Sequence, residues 1–264
     1  MTTKRPKSIR RTKLPVAELV GPRQLGIDTT NFDHVVCLAG NPNTGKSTVF
    51  NALTGLKQHV GNWPGKTVAR AEGGFEYGRK KYKLIDLPGT YSLLSASTDE
   101  EIARNFILFG RPDCTIIVVD ATVLERNLNL ALQILAITDR AVLCLNLMDE
   151  ARRKGIKVNH RRLANDLGIP VVPTVARTAH GMPELIEAVA RVADGTTPTK
   201  PHRIRAGGNA AASVEELAAL IQDTYPGLPN AQWVALRLLE GDRQVEEAIR
   251  DGELAALAGA QESG

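Results

Sequence analysis

Cysteine is scarce in this sequence, and its histidines are scattered. The 264 residues include three cysteines, none in a CxxC spacing, and each lies inside a short apolar run. Such positions predict small buried thiols in a reducing, cytosolic compartment and argue against a disulfide framework. The five histidines show no metal-ligand spacing, so we expect no iron site in this chain. The residues concerned are Cys37, Cys114, Cys144, His34, His59, His160, His180 and His202.

Long apolar runs are also absent. No run reaches the roughly 18 residues that a membrane-spanning helix needs. The charged first residues lack the apolar stretch of a signal peptide. We therefore expect this chain itself to be soluble and not to span a membrane.

Positive charge is concentrated at the start of the chain. Six of the 33 basic residues precede position 14, which leaves 27 basic against 29 acidic residues in the remainder. A basic leader can bind a membrane surface or a nucleic acid, but a disordered, solvated segment is commoner. We expect residues 1–33 to be a flexible leader, and we expect no specific nucleic acid partner. The six residues are Lys4, Arg5, Lys7, Arg10, Arg11 and Lys13.

Short apolar runs rich in β-branched residues alternate with helical patterns over residues 34–196. This alternation predicts an α/β domain with a mostly parallel sheet that is covered by helices on both faces. Ligands of such sheets bind at the carboxyl ends of the strands. The predicted strands are 35–39, 67–77, 81–86, 114–120, 141–146 and 171–174. The predicted helices are 46–53, 98–108, 124–137, 160–167 and 182–193.

The pattern changes in the stretch DGTTPTKPHRIRAGGNAA, which is rich in proline and glycine. We expect a linker over 197–210 and a small all-helical domain over 211–264. Ser213 and Glu216 match a capping box at the start of the first helix, which Gly227 and Pro229 would end. A second helix carries Trp233 on its apolar stripe, and a third covers about residues 242–250.

The stretch GNPNTGKS, residues 40–47, matches the phosphate-binding P-loop pattern directly after a predicted strand. Its glycines let successive backbone N–H groups point at phosphate oxygens, Lys46 neutralises the β- and γ-phosphates, and Ser47 ligates Mg²⁺. The predicted phosphate-binding residues are Asn41, Asn43, Thr44, Gly45, Lys46, Ser47, Thr48 and Gly89.

Two downstream elements complete the predicted phosphate and metal site. Asp86 ends a strand within LIDLPGT, where its carboxylate can hold a Mg²⁺-bound water, and the Gly89 N–H can approach a γ-phosphate. Thr67 is the candidate for the second protein ligand of Mg²⁺. It lies in a loop rich in glycine and proline, the predicted switch I segment, which consists of Gly61, Asn62, Trp63, Pro64, Gly65, Lys66 and Thr67. Trp63 suits either docking of a partner or packing of the loop.

A guanine-binding motif is predicted where the stretch NLMD follows an apolar strand. The Asp149 carboxylate can accept hydrogen bonds from guanine N1–H and the exocyclic amine, whereas adenine would leave it unpaired. A helix cap by Asp149 is the alternative, because Leu147 stands where most GTPases have lysine. In VVPTVARTAHG, the Ala176 N–H is placed to meet guanine O6. The predicted guanine-binding residues are Asn146, Asp149, Val175, Ala176 and Arg177.

Five stretches together resemble the amino-terminal cytosolic part of the FeoB family, the prokaryotic ferrous iron transport protein B. They are GNPNTGKSTVFNALTG, VGNWPGKTV, DLPGTYSL, NLMD and WVALRLLEGD, and the match covers about residues 34–255. The resemblance implies a Ras-like GTPase domain, a helical domain similar to a nucleotide-dissociation-inhibitor module, and a membrane permease in a longer protein. It places the chain at the cytoplasmic face of the bacterial inner membrane, with guanine nucleotide and that permease as partners and self-association as a further possibility.

The resemblance also implies catalytic roles for Lys46, Asn43 and Thr67. Asn43 resembles the family's P-loop asparagine that helps to coordinate an activating K⁺, although a plain turn residue would fit the position as well. The glutamine that orients water in many GTPases is replaced by Thr90 and Tyr91, which predicts slow turnover. Two alternatives stay open, a GTP-gated interaction module with negligible hydrolysis and a GTPase of ribosome or RNA handling.

Overall fold

The computed structural model describes residues 21–94, 97–203, 209–228 and 230–259. Its strands are β1 (His34–Gly40), β2 (Gln58–Asn62), β3 (Ala69–Tyr77), β4 (Lys80–Asp86), β5 (Cys114–Asp120), β6 (Ala141–Asn146) and β7 (Val171–Pro173). Its α-helices are α1 (Lys46–Thr54), α2 (Thr98–Phe109), α3 (Leu124–Ile137), α4 (Met148–Arg153), α5 (His160–Leu167), α6 (Met182–Ala193), α7 (Asn209–Thr224), α8 (Ala231–Leu239), α9 (Arg243–Arg250) and α10 (Glu253–Gly259).

The strands form one sheet in the order β2-β3-β4-β1-β5-β6-β7. β1 pairs in parallel with β4 and β5, and the parallel pairing continues through β6 to β7. β3 runs antiparallel to β4 and β2 antiparallel to β3, so this end of the sheet is a meander. The predicted α/β fold with a mostly parallel sheet is confirmed.

Both faces of the sheet are covered by helices, as predicted. Alternate residues of β1 point to opposite faces, so Val36 and Leu38 join one buried cluster while Val35 and Cys37 join the other. The first cluster packs against α1 and α6, and the second packs against α2, α3 and α5. Trp233 of α8 belongs to the second cluster, so the helical domain extends the core on that face.

Side-chain caps define the starts of two helices. The Ser97 hydroxyl accepts a hydrogen bond from the Glu100 N–H at 3.3 Å at the start of α2. Asn159 Oδ1 accepts one from the Arg162 N–H at 3.0 Å at the start of α5. Each cap satisfies a backbone donor that the first helical turn would otherwise leave unpaired.

The three cysteines are buried and free, as predicted. Burial raises the pKa of the Cys37 and Cys144 thiols to about 12 and that of Cys114 well above its usual value. The thiols are therefore protonated, and they pack as small apolar groups. No helix in the described ranges is long and apolar enough to cross a membrane.

Two predictions about the chain's organisation are wrong in part. Residues 21–33 do not form a flexible leader, because Ile27 is buried in the core, the Asp33 N–H donates to the Lys81 carbonyl, and the Asp33 carboxylate accepts from the Lys81 N–H. Residues 1–20 lie outside the described residues. α7 begins at Asn209, so Ser213 sits inside the helix instead of capping it, since the alanines before it favour helix. Pro229 lies outside the described residues.

Candidate nucleotide-binding site

The predicted P-loop connects β1 to α1 at the carboxyl edge of the sheet. The glycine at position 45 is required, because its φ of +81° is unfavourable for other residues and a Cβ there would lie 2.5 Å from Asn146 Nδ2. The Thr44 hydroxyl donates to the Asn41 carbonyl at 2.9 Å and closes the turn. Ser47 and Thr48 are exposed at the start of α1, next to the positive end of the helix dipole.

Lys46 and Asp86 form an ion pair at the centre of the predicted phosphate site. Lys46 Nζ lies 2.5 Å from Asp86 Oδ1 and donates to the Leu87 carbonyl at 2.7 Å. Burial raises the pKa of the Asp86 carboxyl, and the Lys46 charge opposes that rise. The structure thus joins two predicted site residues that are 40 positions apart in the chain.

The oxygen donors predicted for Mg²⁺ suit that ion, which prefers hydroxyl, carboxylate and water oxygens. Ser47 follows Lys46 in the chain and is exposed. The Lys46 ammonium is paired with the Asp86 carboxylate. Thr67 is exposed between β2 and β3 and makes no side-chain hydrogen bond within the described ranges. Ser47 and Asp86 are thus both linked to Lys46, whereas Thr67 has no hydrogen bond to either residue in the described structure.

Gly89 lies against the P-loop, and Asn43 is an exposed residue within it. A Cβ at Gly89 would lie 3.5 Å from the Pro42 nitrogen, and the Thr90 N–H donates to the Gly40 carbonyl at 3.3 Å. The DLPG segment thus lies directly against the P-loop. Asn43 is exposed and has a φ of +65°, a conformation that asparagine tolerates better than most residues. The alternative role of Asn43 as a turn residue therefore agrees with its backbone conformation.

Asn146 is a structural brace between the P-loop and the guanine motif. Its Nδ2 donates to the Thr44 carbonyl at 3.0 Å, and its Oδ1 accepts from the Ala176 N–H at 3.1 Å. The Ala176 N–H, which the sequence placed against guanine O6, thus has a protein acceptor in this conformation. Thr174, also within reach of Asn146 Oδ1 at 3.3 Å, was missed in the sequence because a lone threonine after a strand carries no motif.

Asp149 lies at the mouth of a cavity of about 160 Å³ between the P-loop and the loop after β7. Its Oδ1 is buried and has no hydrogen-bond partner among the described residues, and its Oδ2 lies 3.3 Å from the exposed Arg177 guanidinium. α4 begins after Leu147 without a side-chain cap, so the alternative role of Asp149 as a helix cap is not met. The predicted guanine-binding residues line this cavity, namely Asn146, Asp149, Val175, Ala176 and Arg177.

The predicted switch I loop is partly an edge strand. Gly61 and Asn62 belong to β2, which pairs with β3 through backbone groups and has almost no apolar pattern to reveal it. Trp63 is 3% exposed, with its ring 5.6 Å from that of Phe106, so it packs inside the protein in this conformation. Pro64, Gly65, Lys66 and Thr67 form an exposed turn.

Comparison with known proteins identifies the family. Residues 34–189 match the model of ferrous iron transport protein B, and residues 208–263 match the FeoB cytosolic helical domain. The Fe(2+) transporter FeoB of Escherichia coli K12 is 42% identical over 209 residues, which cover 78% of this chain and 26% of that protein. An Fe(2+) transport protein A/FeoB fusion protein of Porphyromonas gingivalis is 40% identical over 232 residues, 86% of this chain and 28% of that protein.

Solved structures agree with this assignment. The cytosolic domain of L. pneumophila FeoB has a TM-score of 0.74 at 36% identity and covers 84% of this chain and 88% of that one. The GMPPNP form of the T. maritima FeoB cytosolic domain has a TM-score of 0.75 at 37% identity and covers 83% and 86%. The chain spans about a quarter of the length of the curated relatives named above. It belongs to the FeoB family and carries that family's G domain, a P-loop GTPase fold, followed by its cytosolic helical domain.

Proposed function

We propose that this chain binds GTP and GDP with Mg²⁺, hydrolyses GTP slowly, and acts as the regulatory region of a ferrous iron transporter. Its nucleotide state would be passed to a permease in the same longer protein, at the cytoplasmic face of the bacterial inner membrane. The buried, unpartnered Oδ1 of Asp149 carries the nucleotide part of this proposal. A buried carboxylate oxygen without a donor is costly, and a ligand with matching N–H groups removes that cost.

Guanine is the base that fits this site. It presents an N1–H and an exocyclic amine to the two oxygens of Asp149, whereas adenine presents an acceptor and would keep the carboxylate unpaired. Sites of this kind reject the wrong partner by factors on the order of 10⁴. The two hydrogen bonds of Asn146 fix the position of the guanine cavity relative to the P-loop, so that one nucleotide can bind at both.

The Lys46–Asp86 pair supports the proposed phosphate and Mg²⁺ roles. A phosphate would draw the Lys46 ammonium away from Asp86, and the freed carboxylate would then face the metal with Ser47. Bound Mg²⁺ supplies charge neutralisation to the phosphates. We assign Thr67 as a ligand that arrives only when the switch I turn rearranges, and we assign the exposed hydroxyls and N–H groups of the P-loop to phosphate binding.

Slow hydrolysis follows from the residues beyond the DLPG segment. Thr90 is buried, and its N–H donates a hydrogen bond to the Gly40 carbonyl. Tyr91 is exposed with the Arg126 guanidinium 4.8 Å from its ring, so neither residue is arranged as a base. We propose that backbone groups of residues 61–67 position the attacking water, and that K⁺ held by Asn43 stabilises the charge that develops on the phosphoryl oxygens.

Hydrolysis measured in K⁺ and in Na⁺ tests the catalytic part. We expect slow release of phosphate that K⁺ stimulates, and we expect Asn43→Ala to abolish the stimulation while GDP affinity holds. Asn31→Ala, at an exposed asparagine outside the P-loop, is the matched control. Equal rates in the two salts would refute the K⁺ role. Absence of hydrolysis in a chain that binds GTP would favour the GTP-gated interaction module, an alternative that the missing glutamine supports.

The helical domain supports the transporter context over the RNA-associated alternative. Residues 208–263 match a domain that is described as the FeoB cytosolic helical domain. We propose a G domain over 34–196, a linker from 197, and a helical domain that starts at Asn209, earlier than the sequence indicated. Nucleotide-dependent Fe(II) uptake by the longer protein, lost in Lys46→Ala, would test this role. Self-association stays a prediction.

A further inference from the structure

Residues 21–27 precede the part of the chain that matches the G domain model, yet they pack against the predicted switch I segment. They include a short 3-10 turn, Pro22–Leu25. Ile27, which follows the turn, is buried at 2% exposure. Ile27, Trp63 and Phe106 belong to the same buried cluster. The Gly21 N–H donates to the Phe109 carbonyl at 2.8 Å, which fastens the other end of the turn to α2.

Arg70 joins this turn to switch I. Its Nη1 donates to the Leu25 carbonyl at 2.7 Å and its Nη2 to the Gly26 carbonyl at 2.9 Å. The same guanidinium lies 5.3 Å from the centre of the Trp63 ring. Arg70 is 8% exposed, so the Leu25 carbonyl satisfies a buried donor of Nη1, while Nη2 is shared between the Gly26 carbonyl and the Glu72 carboxylate, 2.7 Å away.

Residues 26 and 64 are also in direct proximity. A Cβ at Gly26 would lie 3.3 Å from Pro64 Cγ, and Gly26 has a φ of +70°. The buried indole N–H of Trp63 finds no hydrogen-bond acceptor in the described part of the chain, which disfavours the buried position of this ring. The Phe106 ring and the Arg70 guanidinium, which both pack against the indole, offset that penalty.

We propose that residues 21–27 are an intramolecular strap that holds Trp63 and Pro64 in their present positions and slows the rearrangement of switch I. The strap contacts switch I through Arg70 and Gly26, and it contacts α2, the helix that follows the DLPG segment, through Phe109. The anchoring itself needs no nucleotide. Its regulatory effect rests on the proposed function, in which the turn at Pro64–Thr67 moves toward bound nucleotide.

The test uses Trp63 as a reporter. The chain has two tryptophans, so Trp233→Phe leaves Trp63 as the single tryptophan, whose emission is excited selectively above the tyrosine absorption band. In this background, deletion of residues 1–26 removes the strap except for Ile27, and deletion of residues 1–20 is the matched control that retains the whole strap. Arg70→Lys in the full chain is the second variant, because lysine cannot reproduce the paired hydrogen bonds of the guanidinium fork.

Without nucleotide, we expect acrylamide to quench Trp63 at least about twofold more strongly in the 1–26 deletion and in Arg70→Lys than in the parent. The 1–20 deletion should match the parent. With a non-hydrolysable GTP analogue, the change in Trp63 emission should be at least about threefold faster in the two strap variants. If the 1–26 deletion does not fold, Arg70→Lys decides by the same readouts.

Unchanged quenching in folded strap variants would overturn the strap itself. Increased quenching with an unchanged rate of the analogue-induced signal would overturn its effect on switch I. If the parent binds no guanine nucleotide, the proposed function fails, and the quenching measurement still decides whether residues 21–27 hold Trp63 in place.

Discussion

Replacement of Asp149 by asparagine is the sharpest perturbation of the proposed base site, because it keeps the shape of the side chain and changes only its chemistry. One carboxylate oxygen becomes an NH₂ group that faces a donor of guanine. The Oδ1 atom is buried and unpartnered, so little protein structure depends on it. The effect should therefore fall on nucleotide affinity and not on folding.

The magnitude follows from the hydrogen bonds involved. A bond to a charged group contributes about 1.5–3 kcal/mol, and a buried donor left unpaired costs about 1–3 kcal/mol. Together they predict a loss of about 3–5 kcal/mol in GDP binding, which is about 10²–10⁴-fold in Kd. Xanthosine diphosphate carries an oxygen in place of the exocyclic amine, so the new NH₂ group should bind it more tightly than GDP.

Titration calorimetry with GDP and xanthosine diphosphate checks this prediction. Asp166→Asn is the matched control, since it makes the same exchange at an exposed aspartate that pairs with Arg162 and does not line the cavity. The control should bind GDP within about twofold of the parent. A loss of GDP affinity below tenfold in Asp149→Asn, or an equal loss in Asp166→Asn, would refute the assignment of Asp149 to the base.

Three further predictions concern stability and thiol reactivity. Asn146→Ala removes the brace and should lower the free energy of unfolding by about 2–4 kcal/mol in urea titrations, because buried partners are left unpaired; a change below about 1 kcal/mol would contradict its bracing role. Burial raises the pKa of Asp86, so without nucleotide the folded state holds that proton to higher pH than the unfolded chain. The free energy of unfolding should therefore fall as pH rises through the folded pKa, and Asp86→Asn should lack this part of the pH dependence; identical pH profiles would argue against it. Cys37, Cys114 and Cys144 should be inert to a disulfide reagent in the native protein and all react in guanidinium, because burial raises their pKa values; one fast native thiol would contradict this.

The parts that could be read from the sequence are those in which backbone geometry imposes residue type. Gly45 and Lys46 recur at a fixed spacing because the turn needs a left-handed residue and the phosphates need a cation. Apolar runs reveal β1, β5 and β6 because both faces of these strands are buried. The alternation of strand and helix then leaves few topologies, and the observed sheet is one of them.

The missed features are those held by backbone bonds or by distant partners. β2 has the exposed residues of an edge strand, so its pairing with β3 leaves no pattern in the side chains. The packing of residues 21–27 depends on Arg70, which lies more than 40 positions away. Lys46 and Asp86 belong to two separate motifs, and neither motif predicts that the two side chains form an ion pair.

Selectivity between GDP and ADP is the most direct test of the central claim, that one acidic side chain beside the P-loop chooses the base. Calorimetry of the unmodified chain with Mg²⁺ should give a saturable heat for GDP and none for ADP at concentrations on the order of 100-fold higher. Equal affinity for the two nucleotides, or no binding of either, would contradict the account.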